Sequence, residues 1–128
     1  MINWDDLIEA AREVRQNAYA KFSGFEVGAA LLTDDGRIVS ACNVENSSYS
    51  LTICAERAAV FKAVSEGLTG FKAIVVYSTS IPPARPCGAC RQVLHDFNPD
   101  MNVLCVNANG DRDSFTLSEL LPEGFKLP

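Results

Sequence analysis

The chain has 128 residues, 48% of them hydrophobic, and a formal charge of −5. That length fits one domain, residues 1–128, able to bury a core without disulfide staples and with no room for a separate regulatory module. The acidic balance argues against a non-specific grip on nucleic acid, which needs a basic footprint; Lys21, Arg85 and Arg91 are scattered in sequence. No signal peptide is read at the start, where Trp4, Asp5 and Asp6 closely follow Met1, and no apolar run approaches membrane-spanning length. The expectation is a soluble cytoplasmic protein that engages neither membranes nor nucleic acid polymers.

Residues 3–19 repeat apolar side chains at Trp4, Leu7, Ile8, Ala11, Val14 and Ala18, one stripe of an amphipathic helix with Asp5, Asp6 and Glu9 near its N-terminus. Ser23-Gly24 breaks the pattern. Residues 25–33 and 37–44 read as two strands of a hairpin turning at Asp34-Asp35-Gly36. Residues 54–66 predict a helix that is apolar nearly all round, which calls for burial at the centre of the domain or of an oligomer. Gly67 ends it, and residues 72–78 form a third strand rich in β-branched side chains. The loop Ile81 to Pro86 holds three prolines and can extend neither a helix nor a central strand. A helix over about 88–97 follows, with Val93, Leu94 and Phe97 as its apolar face. Then come a strand at 102–107, a turn at Asn109-Gly110 and a short strand near Ser114-Phe115. Thr116 and Glu119 have capping-box spacing for a last helical turn. Interleaved helices and strands favour a layered α/β domain around one mixed sheet.

The five cysteines divide by context. An odd count without an export signal is poor evidence for a disulfide framework. Cys42 and Cys105 lie in apolar, strand-like runs and read as small buried hydrophobes. Cys54 opens one predicted helix, while Cys87 and Cys90 open another as Cys-Gly-Ala-Cys. A lone pair of that spacing suits redox and structural zinc sites equally, but a third cysteine at another helix start makes a three-thiolate set. Catalytic zinc takes three protein ligands and leaves the fourth position open, whereas structural zinc usually fills all four. The only histidine, His95, reads as an exposed or hydrogen-bonded helix residue, so no fourth ligand is obvious.

Glu56 supplies the missing chemistry. A metal-activated water must lose a proton to attack and a departing group must gain one, and one carboxylate can serve both steps. Alone, a first-turn glutamate would be read as complementing the helix dipole. Residues two apart share no face of a regular helix, so Cys54 is expected at the non-helical cap position. Three thiolates over-neutralise Zn²⁺, and two helix N-termini would offset that charge. Arg57 is read as a supporting charge beside the ligands, and Arg91 stays open between that role and an ordinary surface position.

These residues resemble the small homotetrameric zinc-dependent cytidine deaminases, nearly end to end. The likeness runs through Phe25 to Ala30, Cys42 to Asn46, the Cys54 block, Lys62 to Gly67, Pro86 to Val93, and Leu120 to Phe125. It implies a three-layer α/β/α sandwich with a five-stranded mixed sheet, assembled as a homotetramer with shared active sites. It also implies one Zn²⁺ per subunit on Cys54, Cys87 and Cys90, with Glu56 catalytic. By position, Asn43 and Glu45 match the pair that holds the ribose 3′-hydroxyl, and Phe25 an aromatic near the pyrimidine. Ala55 matches a backbone N–H that meets the base carbonyl. Phe125 matches an aromatic reaching into a neighbouring subunit's site, and Tyr49 a residue near that boundary. The implied activity is hydrolysis of free cytidine and deoxycytidine to uridine and deoxyuridine in pyrimidine salvage. The rival readings are a deaminase of another small molecule such as blasticidin S, and a non-catalytic zinc or thiol protein. Two positions depart from the family's habit, Glu26 for proline and Arg85 for serine. Glu26 bears on the strand start, and Arg85 would make the entrance more cationic while acting through its backbone carbonyl.

Overall fold

From residue 73 to residue 77 every side chain is buried, so the strand they form must be covered on both faces. The computed structural model, which describes residues 1–128, provides that cover with helices. In chain order the elements are α1 (Trp4–Arg15), β1 (Gly28–Thr33), β2 (Ile38–Cys42), α2 (Ala55–Ser65), β3 (Phe71–Ser78), α3 (Gly88–Phe97), β4 (Asn102–Asn107), β5 (Arg112–Thr116) and α4 (Leu117–Leu120). One five-stranded sheet runs β2-β1-β3-β4-β5. Only β3 and β4, joined through α3, are parallel; the other pairs are antiparallel.

Strand alternation sorts the core into two layers. Ala29, Leu31, Ile74, Val76, Val103 and Cys105 pack with Ala59, Val60 and Ala63 of α2, Leu94 of α3 and Leu117 of α4. The alternate residues Ala30, Ala73, Val75, Leu104 and Val106 pack with Leu7 and Ala11 of α1. The result is an α/β/α sandwich, with α1 alone on one side. Its approach to β1 is close: a Cβ at Gly28 would lie 2.0 Å from the Ala11 carbonyl oxygen, so only glycine fits there.

Three boundaries differ from the sequence expectation, and side-chain chemistry explains them. The first helix stops at Arg15, because the chain leaves to pair with the segment after β2: Tyr19 N–H donates to the Asn43 carbonyl at 3.0 Å, and Glu45 N–H to the Tyr19 carbonyl at 2.8 Å. The strand expected from residue 25 begins at Gly28. Ahead of it, the Asn43 side chain replaces a ladder partner, accepting from Val27 N–H at 2.9 Å and donating to the Phe25 carbonyl at 2.8 Å. The strand expected at 37–44 spans Ile38–Cys42, since Asn43 onward serves these contacts. At the other end, Thr116 N–H donates to Glu119 Oε1 at 2.8 Å, the backbone half of the expected capping box.

The helix over 54–66 is half covered. Ala55, Glu56, Ala59, Val60 and Ala63 are buried against the sheet, while Phe61 and Val64 on its outer side are exposed. The proline-rich loop after β3 is tied to the β4–β5 turn through Asn107, whose Nδ2 donates to the Ser80 carbonyl at 3.0 Å and to Asp111 Oδ2 at 2.9 Å. That tie fixes the segment leading into α3.

Candidate active site

Cys54 and Cys87 occupy equivalent places, the extended cap residues of α2 and α3, with ψ of 154° and 169°. Neither side chain caps its own helix, which leaves both sulfurs free to point forward. Cys90 lies one turn into α3 and is buried. The three sulfurs fall within 4.8 Å of one another, and the Cys54 and Cys87 sulfurs are 3.8 Å apart. A tetrahedral zinc with Zn–S bonds of about 2.3 Å sets neighbouring sulfurs roughly 3.8 Å apart, so the donor set fits that ion. All five cysteines are free thiols.

The electrostatics agree. Cys90 and the Arg57 guanidinium both donate toward the Cys54 sulfur and hold that thiol well below its usual range, while Cys90, giving up its hydrogen bond and buried, is driven up. Arg57 Nη2 lies 3.5 Å from Cys54 Sγ, as expected of a supporting charge, and its Nε is buried without a partner. Arg91 is not aimed at the sulfurs. Its Nε donates to the Pro86 carbonyl at 2.8 Å and its Nη1 to the Leu120 carbonyl at 2.9 Å, pinning the loop and α4 to α3.

Glu56 is 5% exposed, and burial pushes its carboxyl up to about 7. It faces a cavity of 260 Å³ shared with Cys54, Cys87, Phe25, Asn43 and Glu45. Most of the expected site residues are thus brought together. Ala55, the first residue of α2, also lines the cavity and has no intrahelical acceptor for its N–H. Arg85 also lines it, and Val27, Thr52, Ile53, Val76 and Ala84 complete the wall without having been singled out in the sequence. Ile53 gave a faint signal, since it directly precedes Cys54; the others are ordinary apolar or small residues until the fold gathers them.

Two expected residues stay outside. Tyr49, 75% exposed, borders an adjoining groove with Phe22, Ser23 and Thr52 that meets the cavity at Glu45. Phe125 is 67% exposed, and its carbonyl accepts from Gln92 Nε2 at 3.2 Å on α3. Glu45 and Asn43 both have neighbours of their own. Glu45 Oε1 accepts from the N–H groups of Phe22 and Ser23 at 2.9 and 3.0 Å, and its Oε2 accepts from the Ser23 hydroxyl.

Arg85 lines the cavity, with its charge paired rather than free. Its guanidinium pairs with Asp113 at 3.1 Å, stacks over Phe115 and donates to the Pro83 carbonyl. Glu26 turns toward α1, its carbonyl accepting from Arg15 Nε at 2.9 Å. His95 is buried, not exposed, with its ring against Gly124 and its Nδ1 unpartnered.

Fold and donor set together define a zinc-binding deaminase domain. Residues 1–106 match the family model for the cytidine and deoxycytidylate deaminase zinc-binding region, and the chain belongs to that family. It is 49% identical over 122 residues to the cytidine deaminase of Sporosarcina psychrophila, covering 94% of this chain and 90% of that protein. The crystal structure of cytidine deaminase from Burkholderia pseudomallei superposes with a TM-score of 0.93 at 45% identity, covering 98% of this chain and all of that one. The blasticidin-S deaminase of Bacillus cereus is 38% identical over 125 residues, covering 91% of this chain and 88% of that protein.

Proposed function

We propose that this protein hydrolyses free cytidine and deoxycytidine to uridine and deoxyuridine, a step of pyrimidine salvage. The observation that carries the reading is the buried Glu56 sharing one mostly apolar cavity with thiols at two helix N-termini. A structural zinc or redox site has no use for that carboxyl.

Held by Cys54, Cys87 and Cys90, zinc supplies a Lewis acid that lets water react near neutral pH. Glu56 takes a proton from the attacking water and delivers it to N3 of the cytosine ring as the new C4–O bond forms. It then carries the remaining proton of the new C4 hydroxyl to the exocyclic amine, the C4–N bond breaks as the C4=O bond forms, and ammonia leaves. One water enters and one ammonia departs. A carboxyl held near 7 can alternate between the two forms at working pH. The Ala55 N–H donates to the base carbonyl, Phe25 flanks the ring, and Asn43 and Glu45 take the sugar. Arg57 offsets the thiolate charge.

The reading includes a cytoplasmic homotetramer with shared sites. It is supported by the exposed apolar side of α2 at Phe61 and Val64, and by Phe125 and Tyr49, which lie outside the cavity of their own chain. No helix is long and apolar enough to cross a membrane. Metal analysis of purified protein, with ultraviolet monitoring of cytidine and blasticidin S in parallel, tests the proposal. About one zinc per chain with loss of cytidine absorbance is expected; zinc-loaded protein inert toward cytidine and deoxycytidine would overturn it.

A further inference from the structure

Glu45 is a crowded carboxylate. A carboxylate oxygen offers about two lone-pair sites. The N–H groups of Phe22 and Ser23 occupy both on Oε1. Ser23 Oγ–H takes one on Oε2, which leaves a single acceptor position on that oxygen for a ligand. The same Ser23 oxygen accepts from Phe25 N–H at 2.9 Å. One hydroxyl therefore stands between the carboxylate and the aromatic wall of the cavity, receiving from the backbone of one and donating to the other. Gly24, at φ +72°, makes the turn that lets Phe25 N–H fold back onto it.

We propose that Ser23 is a positioning residue for the sugar end of the substrate, setting the Glu45 carboxylate so that only Oε2 is free to accept a sugar hydroxyl. The inference rests on Asn43 and Glu45 being the sugar contacts. Neither Asn43 nor Glu45 can swing freely, because each also holds backbone in the 22–27 segment. Without the Ser23 hydroxyl, Oε2 has two open positions and the carboxylate is free to turn about the pair of bonds on Oε1. A ligand hydroxyl then meets a carboxylate that is no longer pre-oriented.

The test compares Ser23→Thr, which keeps the hydroxyl, with the isosteric Ser23→Val and with Ser23→Ala. Each is assayed on deoxycytidine and on 2′,3′-dideoxycytidine, which lacks the 3′-hydroxyl, after zinc content and circular dichroism are recorded. For the hydroxyl-free variants KM for deoxycytidine should rise about ten-fold, the scale of one hydrogen bond to a charged group. Their kcat should stay within about three-fold, a change too small for loss of a catalytic group. The dideoxy substrate should be handled nearly as by the wild type, and Ser23→Thr should retain most of the wild-type KM. Equal losses on both substrates, no loss on either, or a threonine variant as poor as valine would overturn the proposal. So would loss of zinc or fold in both hydroxyl-free variants, since the hydroxyl would then be structural. Wild-type protein inert toward deoxycytidine would instead overturn the proposed function.

Discussion

Arg57 Nη2 reaches back one helical turn to within 3.5 Å of Cys54 Sγ, so the first turn of α2 carries both a metal-ligand candidate and the charge that compensates it. The guanidinium is the one full positive charge donated to the sulfur cluster, whereas the neighbouring Arg91 is spent on two carbonyls. Arg57→Gln should keep zinc and fold but lower kcat about 10–100-fold, the usual cost of losing a group that hydrogen-bonds a metal ligand. An unchanged kcat would make the contact a packing detail.

Glu56→Gln keeps the shape of the side chain and removes its ability to carry protons. Zinc content and circular dichroism should match the wild type while turnover falls by about 10²–10⁴-fold, the range ascribed to general acid–base catalysis. Appreciable residual activity in rigorously purified protein would reject the mechanism.

The sulfur set can be tested by metal content alone. Alanine at Cys54, Cys87 or Cys90 should each strip zinc on dialysis, because the cluster comprises these three and offers no spare thiolate. Cys105 is just as buried as Cys90 but sits in the core among Val76 and Val103. Cys105→Ala should therefore keep zinc and lose roughly 1 kcal/mol of stability, as small core truncations do. Zinc loss from Cys105→Ala equal to that from Cys90→Ala would show the ligand set to be wrong.

Periodicity, turn residues, β-branched runs and capping-box spacing together placed four helices and five strands, because burial, turn geometry and cap chemistry are local properties of the chain. Cysteine spacing at two helix starts was enough to find the sulfur cluster before the fold was known. What stayed illegible depends on side chains replacing backbone. Asn43 substitutes for a strand partner of residues 25–27, so an apolar-rich run that reads as strand is held as a loop. Pairing of Tyr19 with Asn43 and Glu45 outcompetes the last helical turn in the same way. His95 is the plainest miss, since a histidine in mid-helix gives no hint that a glycine 29 positions later closes over it.

Acid should reveal the grip on Glu45. Donation from the Ser23 hydroxyl first, then from the backbone N–H groups of Ser23 and Phe22, holds its carboxyl below the usual 4.5. A depressed folded value means that the unfolded chain binds the proton first as pH falls. The stability this carboxylate contributes is thus fully present above about pH 4.5 and is lost as pH drops through the lower folded value. Urea midpoints of wild type and Glu45→Gln should differ by a constant amount from pH 8 to about pH 5, then converge as pH falls through the lower folded value. A gap that did not narrow in acid would mean the hydrogen bonds to Glu45 do not form in solution.

The shared site is tested by mixing defects. Phe125 follows Pro122 and Gly124 in a tail with no packed element of its own, and it remains 67% exposed in the single chain. Burying such a ring stabilises by roughly 1.5–3 kcal/mol, so a neighbouring subunit's cavity is a favourable place for it. Phe125→Ala should then weaken nucleoside binding by about ten-fold or more, since that much energy corresponds to at least a decade in affinity, while zinc and secondary structure persist. A chain carrying Glu56→Gln and a chain truncated before Phe125 should each be nearly inactive alone. After subunit exchange, some sites in mixed oligomers would pair an intact Glu56 from one chain with an intact Phe125 from another. Activity should reappear in proportion to the mixed species resolved by native mass spectrometry. Demonstrated exchange without recovery would count against the shared site, and a fully active monomer would reject it.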